Sequence, residues 1–217
     1  MLELILVVVF GFLAYRAINI QDDELSEIPR RISDKLGKLW DIAHHGMREN
    51  RLLRAEKALL TILKIDQKNA AAYNRLGILY AKQKEYKDAI DCFEIASSIE
   101  PTASSLHNLG LIYYETENYN KSATAFEQAL KLEDDLAARH IAYAKVQEKL
   151  GNHKLMVHEL ERAVELEPNN ESYTLLIKTY EDLDMQAEAD ITKEKLKKLI
   201  LPSHKPKRLV RAKRVVI

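Results

Sequence analysis

The pattern of apolar and polar positions repeats about every 34 residues from residue 36 to about residue 201. In the clearest unit, which starts at Ala70, apolar, aromatic or small residues occupy positions 4, 7, 8 and 11 and then positions 20, 24 and 27. Spacings of three and four residues place side chains on one face of an α-helix, so each unit is predicted to form two helices. The residues that carry this pattern are Tyr73, Leu76, Gly77, Tyr80, Ala89, Phe93 and Ala96.

The same pattern recurs in phase on both sides of this unit. Pro101 and Pro168 stand near the ends of two units, and proline ends a helix because it has no amide N–H to donate. A single helical hairpin cannot bury its apolar face alone, so consecutive hairpins are expected to stack. The five predicted units are residues 36–69, 70–102, 103–136, 137–169 and 170–201.

This pattern resembles the tetratricopeptide repeat, whose signature has residues of these types at these positions. The resemblance implies an all-α fold in which about five helical hairpins form a right-handed superhelix. It also implies a concave groove, lined by positions 2, 5, 6, 9, 12 and 13 of each unit, that binds an extended peptide; a polar face without a ligand is the alternative. The groove candidates are Trp40, His44, Asn74, Arg75, Lys82, His107, Asn108, Tyr114 and Lys145.

The N-terminal segment, residues 2–20, is mostly apolar. Nineteen helical residues would span about 28 Å, close to the roughly 30 Å hydrocarbon core of a bilayer. Residues 1–20 are therefore predicted to be a transmembrane anchor and residues 21–35 a stalk, with a signal peptide or a buried helix as alternatives. Lysine and arginine follow the apolar run and none precedes it. By the positive-inside rule, this predicts a single-pass protein of a bacterial inner membrane, with its N-terminus outside and its C-terminal domain in the cytoplasm.

The C-terminal segment, residues 202–217, is basic and contains no acid. It is either a solvated terminus or a patch that binds anionic lipid or nucleic acid. The net charge of the whole chain is zero, so this segment contributes +6 and the rest of the chain −6. An acidic array beside a basic tail can dock on itself. The tail candidates are Lys205, Lys207, Arg208, Arg211, Lys213 and Arg214.

Catalytic chemistry finds little support in the sequence. The chain has one cysteine, Cys92, and lacks the nucleotide-binding, zinc-protease and serine-hydrolase motifs. The adjacent His44 and His45 point about 100° apart on a helix, and His153 and His158 are five residues apart, so neither pair suits a shared metal ion. We therefore expect no enzyme activity, no cofactor and no metal.

These features predict a membrane-anchored, cytoplasm-facing scaffold that binds a partner protein or peptide in its groove. The alternative is that the basic tail docks a ribosome, nucleic acid or anionic lipid while the repeats act as a spacer. The layout is similar to that of bacterial membrane-bound tetratricopeptide regulators of lipopolysaccharide assembly. Their cysteine-rich metal domain has no counterpart here, because Cys92 is the only cysteine.

Overall fold

The computed structural model describes residues 31–201, and all regular structure in this range is α-helical, which confirms the predicted all-α class there. Helix α1 covers residues 31–48. The helices that follow are α2 (Leu52–Ile65), α3 (Ala70–Gln83), α4 (Tyr86–Ile99), α5 (Ala103–Glu115), α6 (Tyr119–Leu132), α7 (Ala137–Lys149), α8 (His153–Leu166), α9 (Asn170–Asp182) and α10 (Gln186–Ile200).

The chain divides into two compact units, one up to Pro101 and one from Thr102 onward. In the first unit, α3 packs against both α2 and α4; in the second, each helix from α5 to α9 packs against the next one. Two helices joined by a connection of two or three residues run antiparallel and form a hairpin. The predicted helical hairpins are thus confirmed in the described residues, whereas the right-handed superhelix stays a prediction.

In two hairpins, glycine sets the distance between the two helices. Gly77 of α3 lies against the ring of Phe93 of α4, and a Cβ atom on Gly77 would be 2.6 Å from the nearest ring carbon. Gly110 of α5 and Phe126 of α6 repeat this contact, with a corresponding distance of 2.8 Å. Both phenylalanines are fully buried. Glycine is needed at these two positions because the aromatic ring occupies the space that any side chain would take.

Tyrosine hydroxyls tie a hairpin to the one before it. Three tyrosines make this contact. Each tyrosine lies on the first helix of its hairpin, and its hydroxyl donates a hydrogen bond to a glutamate on the second helix of the preceding hairpin. Burial, and after it the hydrogen bond to Glu56, raises the pKa of Tyr80 to about 12, so this hydroxyl keeps its proton at neutral pH. The bonds join Tyr80 to Glu56 (3.1 Å), Tyr143 to Glu127 (2.7 Å) and Tyr180 to Glu161 (2.5 Å).

The turn inside each hairpin contains one residue in the left-handed region of φ and ψ. The φ angles of these five residues lie between 58° and 74°. In chain order, the residues are Asn50, Lys84, Glu117, Gly151 and Asp184. All five occupy the same position of their repeat, position 15. Glycine accepts this conformation freely, whereas a residue with a long side chain such as Lys84 or Glu117 adopts it at a cost of about 1 kcal/mol.

A buried histidine links α7 to α8. Nδ1 of His140 lies 2.7 Å from Oε2 of Glu159, and Nε2 lies 2.9 Å from the carbonyl oxygen of Asp134. Both partners accept hydrogen bonds, so both ring nitrogens must donate, which requires the imidazolium form. Burial opposes this charge, as does Arg162, but the hydrogen bonds to Glu159 and Asp134 outweigh them and raise the pKa of His140 above its ordinary value of 6.5.

The membrane localisation predicted from the sequence is contradicted, because none of the helices in residues 31–201 is long and apolar enough to cross a bilayer. Helices α2 to α10 have 13 to 15 residues, which span roughly 20 to 22 Å at 1.5 Å per residue. Helix α1 is longer but carries charged residues such as Asp34, Lys35 and Lys38. The segment predicted as the anchor, residues 1–20, lies outside the described residues, and so does most of the predicted stalk.

Replacement of Gly77 by alanine tests the glycine contact. We expect Gly77→Ala to lower the free energy of unfolding by about 1–3 kcal/mol, because the new methyl group overlaps the Phe93 ring. Gly37→Ala is the matched control, since Gly37 lies on α1 with nothing within 4 Å of an added Cβ. That change should raise the free energy of unfolding by about 0.5–1 kcal/mol. Urea midpoints measure both effects, and equal shifts would contradict the packing argument.

Because Lys84 adopts a left-handed conformation in the turn of the α3–α4 hairpin, its replacement by glycine is expected to stabilise the folded chain. Lys84 has φ 63° and ψ 21°, so Lys84→Gly should raise the free energy of unfolding by about 0.5–1 kcal/mol by removing backbone strain. Asp91→Gly, on the exposed face of α4, should instead lower it by about 0.3 kcal/mol, because glycine has a lower helix propensity than aspartate. Thermal melting distinguishes the two, and destabilisation by Lys84→Gly would refute the assigned strain.

The His140–Glu159 pair predicts a pH-dependent stability. Since the pKa of His140 is raised in the folded chain, its contribution is complete below pH 6.5 and is lost as pH rises through the raised pKa. His140→Gln should therefore flatten the fall in urea midpoint between pH 6 and pH 9. The control His158→Gln changes an exposed histidine of α8 and should leave that slope unchanged. An unaltered slope in His140→Gln would show that the ring is neutral.

Candidate functional site

A groove of about 410 Å³ opens in the second unit along α5, α7 and the start of α9. Helices α5 and α7 are the first helices of consecutive hairpins and contact each other directly. Residues of the connection between α8 and α9 also line the groove. Its walls therefore come from three hairpins that are adjacent in the chain.

The floor of the groove is apolar. Leu111 and Tyr114 of α5 and Ile141 of α7 line it, and the fully buried Phe126 of α6 lies behind them. Leu111 is 38% exposed, although it lies in the middle of its helix. An exposed leucine beside aromatic side chains in a concave surface is the kind of site that a partner's apolar side chain fills.

Two alanines leave this space open. Ala138, Ile141, Ala142 and Lys145 follow one another on α7 at spacings of three, one and three residues and all face the groove. Because alanine extends only one carbon from the backbone, the α7 surface is recessed at positions 138 and 142. The volume of the groove thus depends on small residues at these two positions.

A capping box holds the edge of the groove at the start of α9. The side chain of Asn169 accepts a hydrogen bond from the amide of Ser172 at 2.8 Å, and the Ser172 hydroxyl lies within 2.8 Å of the carbonyl oxygen of Glu167, to which it donates. These bonds satisfy backbone groups that a helix end leaves unpaired. They also fix the backbone that carries the carboxylates of Glu167 and Glu171 at the groove.

His107 forms a neutral part of the wall. Burial, and after it the positive charge of Arg139, lowers the pKa of His107 below its ordinary value of 6.5. Its ring meets Phe126 edge-on, with centroids 5.4 Å apart, and its Nδ1 is buried without a hydrogen-bond partner in residues 31–201. The ring therefore contributes surface rather than charge at neutral pH.

A second recess of about 320 Å³ adjoins the groove and shares Tyr114 and Lys145 with it. It lies along α7 and α9 toward the ends of these helices. Its charged residues are mainly basic, in contrast to those of the groove. They are Lys145, Glu148, Lys149, Lys178 and Asp182.

The structure brings three of the groove candidates together. His107, Tyr114 and Lys145 line the groove of the second unit. Asn108 is half-buried on α5 beside His107. These residues come from two helices, which the positions of the repeat pattern placed on the same surface.

The other five groove candidates lie in the first unit. The rings of Trp40 and His44 contact each other with centroids 5.7 Å apart, and His44 lines a separate recess of about 530 Å³ on α1 and α2. Asn74 is half-buried on α3, and Arg75 and Lys82 are exposed on the same helix. These positions and contacts do not by themselves indicate what the first unit binds.

The residues proposed for the basic tail lie outside the described part of the chain. They are Lys205, Lys207, Arg208, Arg211, Lys213 and Arg214. The tail's binding to nucleic acid or anionic lipid stays a prediction.

Three glutamates on the groove were not among the sequence candidates. Glu115 stands at position 13 of its repeat, a position expected to face the groove, and Glu171 stands at position 2. The repeat pattern could have indicated both. Glu167 lies in the connection before α9, where no helical periodicity applies, so only the structure places it at the groove.

The described residues offer no evident catalytic group. No cluster of three or more His, Cys, Asp or Glu side chains in residues 31–201 could hold a metal ion. Cys92 is half-buried, and burial raises the pKa of its thiol to about 11, so it is not a thiolate at neutral pH. The expectation that the chain is not an enzyme stays a prediction.

The sequence patterns of a known family match three consecutive segments. Residues 70–102, 103–136 and 138–170 each match the tetratricopeptide repeat. The chain contains tetratricopeptide repeats. No curated protein matches it by overall sequence.

Solved structures share this fold. A crystal structure of MamA is 19% identical over 76% of this chain and 92% of its own, with a TM-score of 0.67. MamA from Desulfovibrio magneticus RS-1, from residue 41 to its end, is 15% identical over 76% of this chain and 95% of its own, with a TM-score of 0.68. YrrB, described as a TPR protein with an unusual peptide-binding site, is 20% identical over 75% of this chain and 84% of its own, with a TM-score of 0.62. A membrane anchor and a resemblance to regulators of lipopolysaccharide assembly are not shown by these comparisons.

Proposed function

We propose that this chain is a scaffold that binds an extended segment of a partner protein in the groove along α5, α7 and the start of α9. The observation that carries this proposal is the recessed apolar floor at Ala138 and Ala142, flanked by Leu111 and Tyr114. Its volume of about 410 Å³ lies within the range of ligand sites, roughly 300–1,000 Å³.

The shape of the surface favours a peptide over a compact small molecule. The groove continues into the second recess through Tyr114 and Lys145, so the combined surface is elongated. An extended chain presents alternate side chains to such a surface, and its backbone can meet polar groups at the edges. The Asn169 and Ser172 side chains are engaged in capping α9, and the charged groups that the groove offers a ligand are the three glutamates and Lys145.

The walls of the groove are held in place before a ligand arrives. Phe126 is packed against Gly110, and α7 is tied to its neighbours by the bonds of Tyr143 and His140. A preorganised surface loses little conformational entropy on binding, which favours affinity. YrrB, whose structure is similar, is described as having a peptide-binding site, and this likeness supports a peptide ligand here.

A photo-crosslinking amino acid in place of Ala138 tests this function in the cells from which the chain comes. We expect it to capture a partner protein, while the same group in place of Ala187, exposed on α10 of the same unit, should not. The double change Ala138→Leu and Ala142→Leu should fill the floor and weaken partner binding by at least about tenfold, or about 1.4 kcal/mol.

The control for this change is Ala187→Leu, which adds the same side chain away from the groove. Circular dichroism and thermal melting should show that both variants remain folded. Equal capture at positions 138 and 187, or full partner binding by the filled variant, would exclude this groove as the binding site.

A further inference from the structure

The edge of the groove in the second unit is acidic. Glu115, Glu167 and Glu171 are exposed on it, and Lys145 is the charged base among the described residues that line it, since His107 is neutral. Three carboxylates against one ammonium group leave a formal charge of −2. Within residues 31–201 none of these three carboxylates takes part in an ion pair.

The combination of an acidic edge and an apolar floor defines the chemistry of the ligand. Unpaired carboxylates attract lysine and arginine side chains, and arginine can bond a carboxylate through two N–H groups. The floor between Leu111, Tyr114 and Ile141 takes aliphatic side chains. The fitting ligand is therefore an extended segment in which basic and aliphatic residues alternate at short intervals.

One such segment belongs to this chain. Residues 202–217 carry six lysines and arginines and no acid. Leu209 and Val210 stand between Arg208 and Arg211, so an aliphatic pair is flanked on both sides by basic residues. The residues that precede this segment are more acidic than basic by six charges, so the two parts of the chain are electrostatically complementary.

The path from the last helix leads toward the groove. Helices α9 and α10 are joined by the three residues 183–185 and run antiparallel, so the end of α10 at Ile200 lies beside the start of α9. The start of α9, with Glu171, lines the groove. Helices that pack together lie about 8–10 Å apart, and ten extended residues reach about 33 Å. Residues 202–211 are therefore long enough to cross α9 and enter the groove.

We propose that residues 203–217 occupy the groove of their own chain, with Leu209 and Val210 on the apolar floor and the flanking basic side chains on Glu115, Glu167 and Glu171. Attachment to α10 gives the segment a high effective concentration at the groove. A partner must displace the segment to bind, so the segment inhibits partners that do not bind the groove more strongly than it does. This inference rests on the proposed function, since it names the class of segment that the groove binds.

A synthetic peptide of residues 202–217, labelled with a fluorophore, tests the occupancy on the full chain. Its affinity for the unaltered chain should be low, because the attached segment competes for the site. The variant Lys205→Glu, Lys207→Glu and Arg208→Glu should bind the peptide at least about tenfold more tightly, since the altered segment no longer competes. This binding should weaken at high salt.

Charge changes on the groove identify the site. In the chain with the altered tail, Glu115→Lys with Glu171→Lys should abolish peptide binding. The matched control, Glu165→Lys with Glu194→Lys, changes exposed glutamates on α8 and α10 whose surface ion pairs with Arg162 and Lys197 contribute little, and it should leave binding intact. Equal affinity for chains with unaltered and altered tails overturns the proposal, and so does the absence of binding to both.

Carbodiimide crosslinking of the unaltered chain distinguishes occupancy within one molecule from exchange between two. Tail lysines should crosslink to Glu115, Glu167 or Glu171 in a product that remains monomeric on dilution, and dimeric products would overturn occupancy of the chain's own groove. If a partner is captured at position 138 but the peptide does not bind, the proposed scaffold function stands and the inference about the tail is refuted. If the chain with the altered tail binds the peptide but captures no partner, only the proposed scaffold function is refuted.

Discussion

The close approach of two helices at a glycine is the contact on which the α3–α4 and α5–α6 hairpins depend. At Gly77 and Gly110 the missing side chain is replaced by a phenylalanine ring from the second helix, which is buried and fills the gap. In the second unit, α7 of the next hairpin packs against both α5 and α6 and continues the stack. The groove of the second unit forms along α5 and α7, the first helices of two consecutive hairpins.

The groove and the core share residues, so stability and binding are physically connected. Phe126 packs against Gly110 and lies behind the groove floor, and its ring contacts Tyr143 with centroids 6.3 Å apart. Helix α7 carries Ala138 and Ala142 at the groove and is tied to its neighbours by Tyr143 and His140. A change that loosens these bonds therefore moves the groove floor, even where it leaves every residue of that floor intact.

The charge distribution gives the zero net charge of the chain a structural meaning. Carboxylates from α5, the α8–α9 connection and α9 converge on one concave surface, while the excess of base lies in residues 202–217. Opposite charges on separate parts of one chain attract each other when the linking segment is short enough to bring them together. If the segment occupies the groove as proposed, partners are selected both by their chemistry and by their ability to compete with it.

The sequence by itself determined the helices, their order and the faces they bury, because helical periodicity is a local property of three- and four-residue spacings. It also placed His107, Tyr114 and Lys145 on a common surface by their repeat positions, but the apolar residues 2–20 led to a membrane localisation that is contradicted. The tertiary structure decided which charges meet. Glu167 joins Glu115 at the groove, and Glu159 meets His140 from 19 residues away, since such contacts depend on how helices pack and not on the spacing within any one of them.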